Sequence, residues 1–238
     1  MSVHLVGGGW AAEHYPAVYG PFLGEAAARA AAAGRAEPRV AIITVRGDGD
    51  EHAANLTAAL AAAAAFEPVL TTLELDGQAA LAAVSSVDGI VIGGGLTPAY
   101  LTAIAPIAGE IRRQVSAGIP YLGFSAGAMI AAERALIGGW RIGGVEVAPE
   151  AGSEDLDEVT VDNGIGLLDV TVEVHAAQWG TLSRLIAATE AGLIEGGLAI
   201  DENTALVVGE GALGVVGAGS VWRVSQSADG VLVSTFGA

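Results

Sequence analysis

Cysteine is absent from this chain, and so is lysine. Without cysteine there are no disulfides, no thiolate nucleophile and no Cys-based zinc site, although the absence does not discriminate between compartments. Without lysine there is no Ser–Lys dyad, no Schiff base and no P-loop of the usual type. Positive charge is scarce altogether: ten basic residues, all arginine, face 27 acidic ones, for a net charge of −17. A field this negative argues against nucleic acid or an anionic membrane surface as partner, and it suits cationic substrates or simple solubility. Long apolar runs are missing too. The longest candidate, Ala58 to Phe66, is Ala-dominated and bounded by Thr57 and Glu67; it falls short of the ~20 residues a bilayer requires and forms helix instead. No basic n-region with an apolar h-region precedes Val3-His-Leu-Val6. The sequence therefore predicts no leader and a cytoplasmic location.

What is present is enough apolar material, 52% of 238 residues, for a sizeable core. Val3–Val6, Arg39–Val45, Val69–Leu75, Val87–Ile92 and Ile119–Phe124 are short apolar runs, with the doubly buried character of parallel strands clearest in RVAIITV at 39–45. Helical stretches intervene at Gly24–Ala33, Asn55–Ala65 and Leu101–Ala117, the last broken near Pro106. Alternation of this kind predicts a mostly parallel sheet with helices on both faces. Toward the C-terminus, Leu182–Ala191 is expected to be helical. Leu167–Val174 is expected to be a strand, and Leu198–Val208 and Val221–Thr235 short strands in hairpins. No repeat or linker interrupts the chain, so residues 1–238 are expected to form one domain. Glu150–Asp162 is expected to be a solvated loop, without a calcium-binding pattern.

Ligands of such sheets bind beyond the carboxyl ends of the strands. Gly7–Gly9, Arg46–His52, Gly93–Gly95 and Ser125 all fall there. Ser125 stands alone between the strand ending at Phe124 and a helix expected over Ala126–Leu136, flanked by Gly123 and Gly127. This G-x-S-x-G junction leaves no room for a loop, so the backbone is forced into a sharp turn that presents the hydroxyl. The helix N-terminus beside it offers unpaired N–H groups to a developing anion. The pattern predicts a nucleophile elbow; a Gly/Ala/Ser-rich packing turn is the plain alternative.

A serine nucleophile needs a base. Of the four histidines, His4 lies within the first strand, whereas His14, His52 and His175 all lie near strand ends. His175 ends a strand and precedes a helix, which favours it slightly. For the carboxylate that orients the base, Asp201 and Glu202 stand adjacent in a strand-like run. Side chains of adjacent strand residues point to opposite faces, so at most one can serve.

Taken together, GFSAGA at 123–128, the strand leading to His175, and AIDENTAL at 199–206 resemble the serine peptidase family of dipeptidase E (aspartyl dipeptidase) and cyanophycinase. The resemblance implies a class I glutamine-amidotransferase-like fold, a flavodoxin-like three-layer sandwich with C-terminal β-hairpins. It also implies Ser125 as nucleophile, His175 as base and Glu202 as third member. The oxyanion hole would form from Gly94 or, second, Gly95, together with Ala126. No metal or organic cofactor is implied, and a homodimer is. The order Ser, His, acid differs from that of the α/β-hydrolases.

Where cyanophycinases carry Gly-Gly-Asp-Gln this chain has Gly94-Gly95-Leu96-Thr97, and Trp179 stands where they carry an arginine. Leu96 likewise replaces the asparagine of the dipeptidase E pattern. The expected substrate is a small peptide, a dipeptide or an isopeptide with an acidic or β-aspartyl residue. Arg46, Leu96 and Trp179 are the candidate contacts. An amide or ester hydrolase, an acyltransferase or a silent relative with the same triad is the alternative.

Overall fold

The computed structural model describes residues 2–211 and 213–237. The first half of the chain alternates strand and helix: β1 (Val3–Val6), α1 (Tyr15–Ala32), β2 (Arg39–Val45), α2 (Gly49–Ala61), β3 (Glu67–Leu73), β4 (Gly89–Ile92), α3 (Thr97–Ile104), α4 (Ala108–Ser116), β5 (Tyr121–Phe124) and the four-residue α5 (Ala126–Met129). Strands then dominate: β6 (Arg134–Gly138), β7 (Arg141–Ile142), β8 (Val145–Glu146), β9 (Thr160–Asn163) and β10 (Thr171–Val174) precede α6 (Leu182–Glu190). The chain closes with β11 (Gly196–Ile200), β12 (Thr204–Val208), β13 (Gly214–Gly217), β14 (Ser220–Ser227) and β15 (Gly230–Gly237).

The central sheet has seven strands in the order β13-β12-β1-β5-β4-β2-β3. The run β1-β5-β4-β2-β3 is parallel, and β12 and β13 join one edge antiparallel. β2 shows why its run Val40–Ile43 is apolar without alternation. Val40 and Ile42 pack with Phe22, Leu23, Leu56 and Leu60 of α1 and α2. Ala41, Ile43 and Val45 point the other way, into a core shared with Tyr100, Ile104 and Ile111 of α3 and α4. With a side-chain period of two, both faces of the strand are buried. A second sheet, β10-β11-β14-β15, lies against the same core through Val172, Val174, Leu198 and Ile200. Its other side is covered by α6, through Leu185 and Ala188 against Ala199 and Val224.

Several boundaries depart from the sequence expectation. α1 begins at Tyr15, with a proline in its first turn and Pro21 inside, rather than near Gly24. α2 begins at Gly49, so His52 lies on a helix and not in a polar loop. The helix expected over 126–136 ends after one turn. Ile130 to Ala132 and Leu136 are wholly buried, a burial that a one-sided helix cannot give. Their backbone is bonded instead to the 165–168 segment, by Ile165 N–H to Ile130 O, Gly166 N–H to Ala132 O and Leu167 N–H to Ala131 O. Tertiary pairing overrides an alanine-rich helix preference here. Finally, the 198–208 run is not a hairpin: β11 and β12 belong to different sheets, and Asp201–Asn203 is the turn that carries the chain between them. The β14–β15 hairpin is present as expected.

Among the described residues, no helix is long and apolar enough to cross a membrane.

Candidate active site

Ser125 follows β5 directly and has φ 51° and ψ −112°, a region that non-glycine residues occupy only under constraint. The constraint comes from both sides. A Cβ on Gly123 would lie 2.4 Å from the carbonyl oxygen of Gly127, and one on Gly127 would lie 2.3 Å from that of Ile92. The outer positions of G-x-S-x-G are therefore glycine because strand and helix backbones nearly touch. The Tyr121 hydroxyl donates to Gly127 O (2.7 Å), and Met129 N–H returns to Ser125 O (3.1 Å), locking the turn.

His175 follows β10 directly and is also left-handed, with φ 53°. Its N–H is donated to Gly7 O (3.0 Å) at the end of β1. Gly8 has φ 99°, and a Cβ there would sit 2.1 Å from His175 Cε1. The glycine run after β1 thus provides space for an imidazole. Ser125 Oγ is 2.9 Å from His175 Nε2, and His175 Nδ1 is 2.7 Å from Glu202 Oε1. A carboxylate only accepts, so Nδ1 carries the proton and Nε2 is left to accept from the serine hydroxyl. Burial holds the His175 pKa below its ordinary value, an effect the Glu202 carboxylate partly offsets. Trp179 lies flat on the imidazole, with ring centroids 3.9 Å apart and planes 8° from parallel.

Glu202 reaches His175 from the turn between β11 and β12, not from a strand. Gln178 Oε1 accepts its N–H (2.9 Å), and Asn203 N–H is donated to Gly8 O (2.7 Å). Asp201 faces elsewhere: its carboxylate accepts from Ala177 N–H (3.1 Å), Ser220 N–H (3.0 Å) and Trp222 Nε1–H (3.0 Å). Of the other histidines, His14 ends a single 3-10 turn ahead of α1 and His4 is buried within β1. His52 does reach the site, but at its backbone. Its Nε2 accepts the N–H of Gly94 (3.0 Å).

That contact corrects the expectation that Gly94 donates to an oxyanion, because its N–H is already engaged. The N–H groups of Gly95 and Ala126 have no acceptor among the described residues. Gly94 instead provides closeness, since a Cβ there would be 2.8 Å from Ser125 Cβ.

These groups open on a cleft of about 980 Å³. Asp48, Glu51, Glu150, Glu154, Asp155 and Glu202 line it, with Arg46 as the one arginine. Arg46 is already engaged: Nε and one terminal nitrogen bind both oxygens of Asp48, and the other terminal nitrogen reaches Gly94 O (3.4 Å). Leu96 and the exposed side of Trp179 complete the wall. Glu154 accepts from Thr97 N–H (2.8 Å), and burial pushes its carboxyl up to about 7. Among the described residues, no cluster of three or more His, Asp or Glu side chains is arranged to hold a metal ion.

Comparison with known proteins gives a consistent answer. The model of peptidase family S51 matches residues 30–216. Cyanophycinases from Synechococcus elongatus and from Thermosynechococcus vestitus (strain NIES-2133 / IAM M-273 / BP-1) are each 36% identical over 146 residues, 59% of this chain and 42% of theirs. The matched segment thus spans about two-fifths of the length of these curated relatives. Among solved structures, a peptidase from an acI-B1 actinobacterium superposes with a TM-score of 0.62 at 17% identity, over 100% of this chain and 94% of the other. A candidate peptidase E from Listeria monocytogenes EGD-e gives 0.54 at 14% identity, over 91% and 98%. At such identities the two structures speak for the fold.

Proposed function

Because the chain belongs to peptidase family S51, we propose that it is a serine-type hydrolase that cleaves a small peptide through Ser125, His175 and Glu202. The observation that carries this reading is the unbroken line of hydrogen bonds from Ser125 Oγ to His175 to Glu202, 2.9 and 2.7 Å long, among the residues that line the cleft. His175 Nε2 takes the hydroxyl proton as Oγ bonds to the scissile carbonyl carbon. The resulting oxyanion accepts from the N–H groups of Gly95 and Ala126. Imidazolium, held by Glu202, then gives its proton to the departing amine, leaving an acyl-serine. Water attacks the ester carbonyl, again losing a proton to His175, and the carboxylic acid product departs as Ser125 is regenerated.

For substrate we propose a dipeptide or a β-aspartyl isopeptide whose cationic part, a free ammonium or a basic side chain, faces the acidic wall. The acids of the cleft outnumber its single arginine, and Asp48 already occupies that arginine. An extra carboxylate on the substrate thus has no unengaged cation to meet. Arg46 is left with the task of shaping the cleft rather than anchoring an acid.

A fluorophosphonate probe is expected to label Ser125, and His175→Ala to abolish the labelling. Failure of the parent protein to label would overturn the nucleophile. A panel of Asp-X, β-Asp-X and Arg- or Lys-containing dipeptides tests the substrate class. Turnover is expected to be fastest for members that carry a basic side chain beside the free ammonium; turnover of none of the peptides, with only uncharged esters cleaved, would remove the peptidase reading.

A further inference from the structure

The backbone of Gly94 is gripped on one side by two buried side chains from two different helices. His52, in the first turn of α2, accepts its N–H (3.0 Å), and Tyr100, on α3, donates its hydroxyl to the carbonyl (3.0 Å). Both are close together: a Cβ placed on Gly93 would lie 3.0 Å from each. The carbonyl of the preceding residue, Gly93, points the opposite way and accepts from Gly127 N–H (3.0 Å), within the helix that follows the nucleophile.

Trans peptide units carry their C=O and N–H on opposite sides, and every peptide bond described here is trans. With the Gly94 carbonyl pinned toward Tyr100, the next N–H, that of Gly95, must point away from Tyr100. That is the side on which Gly93 meets the nucleophile's helix. We propose that His52 and Tyr100 are positioning residues: His52 fixes the Gly93–Gly94 peptide and Tyr100 the Gly94–Gly95 peptide, so that the Gly95 N–H faces the developing oxyanion. The proposal deepens the serine-hydrolase reading and rests on it.

The grip is itself braced. The His52 ring meets Trp10 edge-to-face, centroids 5.6 Å apart, and Phe124 at 5.9 Å. Burial, and secondarily the Arg46 cation, lowers its pKa to about 4. The ring is therefore neutral in the working range, with the Nε2 lone pair available to Gly94. Two helices fixing the two consecutive peptides that flank Gly94 give a preorganised dipole, the kind of stabilisation that needs no rearrangement as charge develops.

Acylation by p-nitrophenyl acetate, followed by release of nitrophenolate, tests this with Ser125→Ala as control. His52→Ala and Tyr100→Phe are each expected to slow acylation at saturating ester by about tenfold or more, with KM within about twofold. The acid limb of the pH profile, which belongs to His175, is expected to stay in place. His52→Gln, which returns an acceptor oxygen, is expected to restore most of the rate. Folded variants with acylation within twofold of the parent, or with only KM raised, would overturn the positioning role and leave the nucleophile standing. Acylation undiminished in Ser125→Ala would overturn the reading of the site and this proposal with it. Should His52→Ala not fold, Tyr100→Phe, which loses one oxygen atom, decides alone.

Discussion

Asp201 and Glu202 differ by one methylene and separate completely in what they touch. Asp201 fills its oxygens with two backbone N–H groups and an indole, whereas Glu202 gives an oxygen to the His175 ring. Substituting them is expected to separate stability from catalysis. Asp201→Ala strands three donors and should cost about 3 kcal/mol or more. Glu202→Gln should leave thermal stability nearly unchanged while lowering kcat by about 10²-fold or more, because the imidazole loses its orienting carboxylate. Thermal denaturation beside steady-state kinetics checks both. His175 and Glu202 set the sign of the pH dependence. His175 must be neutral to act, and burial holds its pKa below the usual imidazole value. Activity is therefore expected to be retained at pH 6.5 and to fall only as pH drops through that lowered pKa. Since the Glu202 carboxylate raises the pKa of His175, Glu202→Gln should move the acid limb to still lower pH in a kcat/KM profile.

At the scale of elements, β10 and α6 are joined by the ion pair of Glu173 and Arg184, both essentially without solvent exposure. Arg184 also binds the carbonyls of Gly139 (3.1 Å) and Gly152 (2.5 Å), and so fastens the segment that supplies Glu150 and Glu154 to the cleft. Arg184→Met leaves a buried carboxylate unpaired and should destabilise by about 3–5 kcal/mol. Adding Glu173→Leu should recover part of that loss, measured by urea unfolding of the single and double variants. Elements of this kind also mark how far the sequence could be read. Four of the five parallel strands and the strand–Ser125–helix junction are legible because each is a local pattern, apolar runs buried on both faces and small residues where backbones cross, whereas β3, at the sheet edge, is largely exposed and carries a weaker signal. The strand-end position of His175 is visible in the sequence, but its left-handed turn and the room made by Gly8 are products of tertiary packing. The one-turn length of α5 was not legible, since the partner that captures Ile130–Ala132 lies more than thirty residues later. Nor was the grip of His52 on Gly94, which joins residues 42 apart and leaves no periodic trace.

Over the whole molecule, a net charge of −17 is concentrated in part around the cleft. Glu154 contributes in an unusual direction. Its pKa in the folded protein is raised to about 7, so the stability it provides is fully present below the ordinary carboxylate range and is lost as pH climbs through that value. Glu154→Gln is accordingly expected to raise Tm relative to the parent more at pH 8 than at pH 5, read from thermal melts at the two pH values. A last consequence follows from the way β11 and β12 are divided between sheets. Serine comes from one layer, imidazole from the other, and the acid from the strap that ties them. Chemistry here is a gauge of how tightly the two layers are seated. On gentle heating or in dilute denaturant, turnover should vanish while the far-ultraviolet dichroism is still that of the native protein, since a slip of an ångström between the layers disconnects the relay without melting either one.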